Sequence, residues 1–215
     1  MERTSTPPSH VTQPRRARAV VLVVLGGALI AWAMWWTEIV WVKGWNSLAW
    51  LSGYNWSAIP ICLCIAAVSS IALGRAIPLV QRLRFIGIAA LLMWAAFDIG
   101  RAALFEVGTA WTTRSGLLFD TWLASLLLAD VGVAFALFFC AHKLIAPLRP
   151  WTGLLLLLAL SAVAPLSAAT IHLIPALRGQ TDAVHAVKMG YPVFWTALLV
   201  PLCLWLGRKP LLDSP

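Results

Sequence analysis

Charged residues are scarce in this 215-residue chain. Only 11% of its residues are Asp, Glu, Lys or Arg, whereas 61% are hydrophobic and the mean hydropathy is +0.85. A soluble domain carries roughly 25% charged residues, and a disordered chain combines low hydrophobicity with high net charge. The composition therefore excludes both classes and indicates a polytopic membrane protein.

The sequence also contains few cysteines and lacks several known catalytic motifs. Four Cys residues are too few for a disulfide scaffold of this length. The sequence has no Gly-x-Gly-x-x-Gly, no phosphate-binding Gly-Lys-Ser/Thr loop, no Gly-x-Ser-x-Gly elbow and no His-Glu-x-x-His. These absences argue against nucleotide-driven hydrolysis, and the hydropathy excludes a soluble nucleic-acid-binding role. We expect no cofactor and no metal site.

What the sequence does contain is a set of apolar runs of about 20 residues, the length that crosses a hydrocarbon core of roughly 30 Å. The six runs cover residues 19–42, 56–74, 84–105, 117–141, 151–174 and 191–207. We therefore expect an all-α integral membrane protein, a six-transmembrane-helix bundle. A single transmembrane domain over 19–207 would lie between a disordered tail at 1–18 and a short tail at 208–215.

The distribution of Lys and Arg predicts the sidedness of the bundle. The two tails and the second and fourth connections hold eleven of the 16 Lys and Arg residues, the other connections hold four, and Arg101 lies within a helix. Cytoplasmic segments of membrane proteins carry an excess of Lys and Arg. Both termini are therefore expected in the cytoplasm, and the chain is predicted to be a multi-pass protein of the cell (inner or plasma) membrane.

The first apolar run has an alternative interpretation. It follows Arg15-Arg16-Ala17-Arg18, a charge pattern that also precedes the apolar region of a cleaved signal peptide. The run continues to Val42, which is longer than that region normally is. We interpret it as a retained helix, with signal cleavage as the alternative.

Helix contacts are predicted from small residues four apart, which let backbones approach closely in lipid. Gly132, Ala136 and Cys140 form such a row in the fourth run, and Ala164 and Ala168 form another in the fifth.

Ionisable residues within the runs gather in the predicted outer half of the bundle. Asp98 and Arg101 stand three residues apart in the third run, on one helix face where they can pair. Asp130 lies near the midplane, with no Lys, Arg or His within ten residues. A lone carboxyl at that depth is expected to be uncharged, and it serves either as a hydrogen-bonding strut or as a proton donor.

Aromatic residues accompany these groups. Most of the 13 Trp residues lie near the predicted outer boundary, as in the aromatic belt of membrane proteins. Trp94 and Trp122 lie deeper or on other helices. Together with Phe97 they are candidates to surround a polar pocket, in which their rings would stabilise a developing positive charge.

Three functions remain open on this pattern. The first is an intramembrane enzyme that acts by acid–base chemistry on a lipophilic isoprenoid or lipid substrate. A small-solute or ion transporter or channel is the second, and a structural or assembly subunit beside partner membrane subunits is the third. In the enzyme, the candidate catalytic residues are Asp98, Asp130, Glu38 and His172. The candidate substrate-binding residues are Arg101, Trp94, Phe97, Trp122 and Asp120.

Overall fold

A computed structural model of the chain describes residues 13–37, 58–74, 77–102, 118–174 and 182–209. Side chains are described for all of these except residues 13–14, 97–102, 118–129, 168 and 182–189. The described residues form six α-helices and no strand. The helices are α1 (Gln13–Thr37), α2 (Ala58–Leu73), α3 (Leu79–Ala102), α4 (Leu118–Leu144), α5 (Thr152–Leu173) and α6 (Asp182–Gly207).

The predicted all-α class is confirmed over this part of the chain. Four helices contain segments long and apolar enough to cross a membrane, which is compatible with a membrane-embedded protein. These segments are Arg15–Thr37, Leu79–Ala96, Thr152–Leu173 and Gly190–Gly207. Of the other two helices, α2 is apolar but has only 16 residues, and α4 has 27.

Three helices begin earlier than the apolar runs predicted. α1 begins at Gln13 rather than at residue 19, α3 at Leu79 rather than at residue 84, and α6 at Asp182 rather than at residue 191. Pro14 lies in the first turn of α1, where its missing N–H has no intrahelical acceptor to lose. The Arg and Ala residues that follow are good helix formers. The helix therefore extends through these charged residues, beyond the N-terminal limit of the apolar run.

The helices form a closed ring in which each packs against its neighbours in the chain. α6 returns to pack against α1, and it also contacts α2 across the ring. Contacts between helix ends show how the helices are oriented. Arg208, after the end of α6, donates to the Leu73 carbonyl at the end of α2. Arg149, before the start of α5, donates from its backbone N–H to the Gly207 carbonyl.

Val24 in the first half of α1 lies in one cluster with Ala72 and Trp205. The short α2–α3 and α4–α5 connections bring the start of α3 and the end of α4 to the same place. The first residues of α1, α3 and α5 therefore lie at the same end of the bundle as the last residues of α2, α4 and α6.

This shared end is called the basic end here, and the opposite one the far end. The basic end holds every Lys and Arg whose side chain the structure describes: Arg15, Arg16, Arg18, Arg82, Arg84, Lys143, Arg149, Arg208 and Lys209.

Many of the buried side chains are small, and many large ones point outward. The buried core contains the alanines Ala28, Ala31, Ala66, Ala89, Ala90, Ala134, Ala141, Ala159 and Ala197. Exposed leucines include Leu22, Leu79, Leu83, Leu91, Leu154 and Leu158. In lipid, Leu gains little by leaving the surface, so close van der Waals contact between helices decides which face turns inward.

Two glycines mark helix contacts that leave no room for a side chain. A methyl group on Gly27 of α1 would overlap the Val68 side chain of α2. A methyl group on Gly207, at the end of α6, would overlap the Thr152 side chain at the start of α5. Thr152 Oγ1 also donates a hydrogen bond of 3.3 Å to the Gly207 carbonyl. Contact at these positions requires glycine.

The predicted contact rows of small residues match the buried faces only in part. Ala136 and Cys140 are partly buried and Cys140 packs against the core, whereas the first residue of each row is exposed. Gly132 is exposed, and no described atom lies within 4 Å of the position a Cβ would occupy there. The buried face of α4 instead carries Ala134, Leu137 and Ala141. Ala164 of the other predicted row is exposed too. Spacing alone does not identify the contact face, because small residues occur on several faces of each helix.

Gly27→Ala should destabilise the protein, whereas Gly26→Ala should not. Val68 is β-branched and restricted at χ1, so it cannot rotate away from the added methyl group. Overpacking of this kind costs about 1–3 kcal/mol. No described atom lies within 4 Å of a Cβ built on Gly26, which makes that variant the matched control. Thermal unfolding of both variants in detergent measures the difference. Equal stability of the two would contradict the α1–α2 contact and would agree with removal of α1 as a signal peptide.

Candidate functional site

The packed pair α3 and α4 carries most of the predicted site. Trp94 lies fifteen residues from the start of α3, and Asp130 lies fourteen residues from the end of α4. At 1.5 Å per residue, these positions are about 22 Å and about 21 Å from the basic end. Both side chains are partly buried, and Trp94 packs against the main core. Two of the predicted residues thus share one depth on contacting helices.

Five other predicted residues lie nearer the far end on the same two helices. Phe97, Asp98 and Arg101 are in the last two turns of α3, and Asp120 and Trp122 are in the first two turns of α4. Their helical positions are described, but their side chains lie outside the description. The pairing of Asp98 with Arg101 therefore stays a prediction. The helix register nevertheless places seven of the nine predicted residues on one contacting pair of helices.

The two candidate bases come from different parts of the ring. His172 is exposed in the last turn of α5, which packs against α4. Glu38 directly follows the end of α1 and lies outside the described residues. α1 packs against α2 and α6 rather than next to α4. Of the two, His172 is on the helix that neighbours Asp130.

A polar pair between α5 and α6 was missed in the sequence analysis. Trp195 Nε1 donates a hydrogen bond of 3.1 Å to Thr170 Oγ1, and Thr170 Oγ1 donates one of 2.8 Å to the Leu166 carbonyl. The Trp195 ring meets Phe194 edge to face, with centroids 5.5 Å apart. Interhelical hydrogen bonds in membranes contribute on average about 0.6 kcal/mol. This pair fixes the two helices to each other in the far half of the bundle.

A second aromatic contact lies where α6 meets α1. A Cβ on Gly190 would come within 2.8 Å of Trp32 Nε1 and 2.9 Å of Trp35 Cδ1, so only glycine admits these rings. Trp32 Nε1 is buried and has no hydrogen-bond partner among the described residues. A buried N–H without an acceptor costs about 1–3 kcal/mol. A hydrogen-bond acceptor placed next to Trp32 Nε1 would remove this free-energy cost.

The half of the bundle near the basic end is closed by apolar side chains. The interior below Asp130 contains the buried residues Phe85, Ala89, Leu137, Ala141, Leu148, Leu156, Val200 and Leu204. No Asp, Glu, Lys, Arg or His is buried among the residues that the structure describes there. This interior offers no polar route from Asp130 to the basic end.

The buried hydroxyl groups of this half are satisfied by backbone carbonyls. Ser69 Oγ donates to the Ile65 carbonyl at 2.8 Å, and Ser70 Oγ donates to the Ala67 carbonyl at 2.8 Å. Each bond stays within α2, so neither hydroxyl donates to another helix. These groups therefore stabilise the packed interior and do not form a path through it.

Over the described side chains, no three His, Cys, Asp or Glu lie close enough together to hold a metal ion. No model of a known protein family, no curated protein and no solved structure matches the chain. The functional inference therefore depends on the chain's own residues and their placement.

Proposed function

We propose that this chain is a six-span protein of the cell membrane with both termini in the cytoplasm. Six helices and an even number of crossings fit termini on the same side. The clustering of described Lys and Arg side chains at the basic end supports a cytoplasmic position for that end. α2 is short for a crossing, but it packs against α1, α3 and α6, which shield its ends from lipid.

Within this bundle we propose an intramembrane enzyme that acts by acid–base chemistry on a lipophilic substrate, an isoprenoid or a lipid. The observation that carries the proposal is the contrast between the two halves of the bundle. Asp130 lies partly buried at the depth of Trp94, and the interior between Asp130 and the basic end is apolar. A site closed toward the basic end fits an enzyme fed from the outer leaflet, and it does not fit a channel, whose path is open to both sides at once.

In this enzyme, Asp130 or Asp98 is the acid, and His172 or Glu38 is the base. A carboxylic acid kept neutral by its apolar surroundings delivers a proton to a substrate double bond or oxygen. The rings of Trp94, Phe97 and Trp122 stabilise the positive charge that then develops, by cation–π attraction.

Two further residues complete the proposed site. Arg101 orients a substrate oxygen or a carboxylate, and Asp120 contributes a polar contact near the entrance from the far end. Both lie in the far halves of their helices, α3 and α4.

Of Asp130→Asn and Asp98→Asn, the variant that removes the acid should lose most of its activity without unfolding the protein. Loss of a general acid lowers the rate about 10²–10⁴-fold, and Asn keeps the shape of the side chain. The purified variants are incubated with a total lipid extract of the cells to which the chain is native, and products are identified by mass spectrometry. Gly132→Ala, on an exposed face of α4, is the matched control and should stay active.

Two results of this experiment would contradict the enzyme. Loss of folding in both Asn variants, seen as a collapse of the melting temperature in detergent, would assign the carboxyls to structure. Conversion of no lipid by the wild-type protein, together with Asp130-dependent proton or solute uptake in proteoliposomes, would identify a transporter.

The proposed sidedness predicts which positions a membrane-impermeant maleimide reaches in intact cells or spheroplasts. In a background without the four native cysteines, Trp45→Cys and Thr112→Cys should react, and Arg149→Cys should react only after permeabilisation. The first two positions lie outside the described residues. Reaction of Arg149→Cys in intact cells would reverse the orientation.

A further inference from the structure

A cleft of about 300 Å³ opens at the basic end, between the α4–α5 connection and the end of α6. It is lined by two arginines, Arg149 and Arg208, and by two apolar side chains, Trp205 and Leu206. The cleft lies on the opposite half of the bundle from Asp130, so it is distinct from the proposed catalytic site.

The backbone fixes the two arginines beside each other. Arg149 N donates to the Gly207 carbonyl at 2.8 Å, and Lys209 N donates to the Pro147 carbonyl at 3.1 Å. These bonds form a short antiparallel bridge between the connection and the end of α6. Neither arginine is therefore carried on a free tail.

The side chain of Arg208 is anchored as well. Its Nη1 donates to the Leu73 carbonyl at 2.8 Å, at the end of α2. Next to this bond, Gly74 has a φ of +146°, a conformation that favours glycine, and a Cβ there would lie 3.2 Å from Arg208 Nη1. The turn after α2 is thus shaped around the guanidinium group. One edge of that group contacts protein, which leaves its remaining N–H groups for a ligand.

No carboxylate balances these charges within the described part of the chain. Nine cationic side chains lie at the basic end, and the acidic residue with a described side chain, Asp130, is about 21 Å away along α4. Arginine pairs with phosphate through two parallel N–H···O bonds and is weakly hydrated, so it favours a phosphate in such a cleft.

The other half of the lining is apolar and faces outward. Leu206 is 53% exposed. Trp205 packs on one side against the cluster of Val24, Val68 and Ala72. At the end of a membrane-crossing helix, such a surface meets the boundary between headgroups and acyl chains. A ligand that fills this cleft therefore has an anionic head and a hydrocarbon tail.

We propose that this cleft binds an anionic phospholipid, with its phosphate between Arg149 and Arg208 and an acyl chain along Trp205 and Leu206. Basic pockets at the ends of transmembrane helices have the charge and position to hold such headgroups. The site stands independently of the acid–base chemistry proposed for the far half.

Native mass spectrometry of the full-length protein in detergent tests the site. Phosphatidylglycerol should bind at one high-affinity site, and phosphatidylcholine with the same acyl chains should bind more weakly. Arg149→Gln should lower the affinity for phosphatidylglycerol about fivefold or more, since each basic residue near a headgroup contributes about that factor. Its backbone bond to Gly207 stays intact, so the variant should fold.

Arg84→Gln is the matched control, because it removes an exposed charge from the basic end outside the cleft lining. Because the Arg84 charge is exposed to solvent and does not line the cleft, salt screens it, and this variant should change the affinity less than about twofold. Inorganic phosphate is added as a competitor to separate the two possible sources of the anion. Millimolar phosphate should leave the lipid bound.

Three outcomes would overturn the proposal. Equal affinity for the two lipids would remove the headgroup selectivity. Equal losses in Arg149→Gln and Arg84→Gln would show a diffuse charge effect and no site. Displacement of the lipid by phosphate at similar concentration would assign the cleft to a free anion.

Discussion

Close approach of helices is the physical constraint on which the rest of this structure depends. In lipid there is no hydrophobic gain when one helix covers another, so association depends on van der Waals contact. Gly27, Gly190 and Gly207 each stand where a side chain would overlap the neighbouring helix. They bring α1 to α2, α6 to α1 and α6 to α5. Alanines fill part of the remaining interior, and many leucines face outward.

This packing divides the bundle into two unlike halves. The interior near the basic end contains apolar side chains, Phe85, Leu137 and Leu156 among them, and hydroxyl groups that bond to backbone carbonyls. Beyond that interior, Asp130 lies near the middle of α4. A charged group at a helix centre costs roughly 2.5–3.5 kcal/mol on insertion scales. The presence of a carboxyl there is the physical reason to propose chemistry for it.

Some features of this fold are marked by a local sequence pattern and could be predicted, whereas others depend on contacts between helices and could not. Each of the six apolar runs overlaps one of the helices, because run length reflects the thickness of the bilayer directly. The contact faces were predictable only in part: Cys140 packs against the core, but Gly132, in the same predicted row, is exposed. In a uniformly apolar helix there is no polar face to mark the outside. The choice between Gly26 and Gly27 is made by Val68 on another helix, which no local pattern contains.

The candidate site, like the fold, could be predicted from the sequence only in part. Asp130 and Trp94 could be selected as candidates because a carboxyl and an indole are unusual in an apolar run. The Trp195–Thr170 hydrogen bond was missed, because neither residue is unusual in its own helix and only the packing of α5 on α6 brings them together. The start of α1 at Gln13 was missed for another reason, since hydropathy measures where a helix enters lipid and not where it begins.

Water accessibility along α4 tests the central claim most directly, namely that polar access to the bundle is closed toward the basic end. Single cysteines at Asp130, Ala134 and Leu137 are exposed to a charged methanethiosulfonate reagent, applied separately from each side of the membrane. The account predicts modification of Asp130→Cys from the far side, and no modification of Ala134→Cys or Leu137→Cys from either side. Modification of Ala134→Cys or Leu137→Cys from the basic side would contradict it, because it would reveal an aqueous path through the interior that the packing closes.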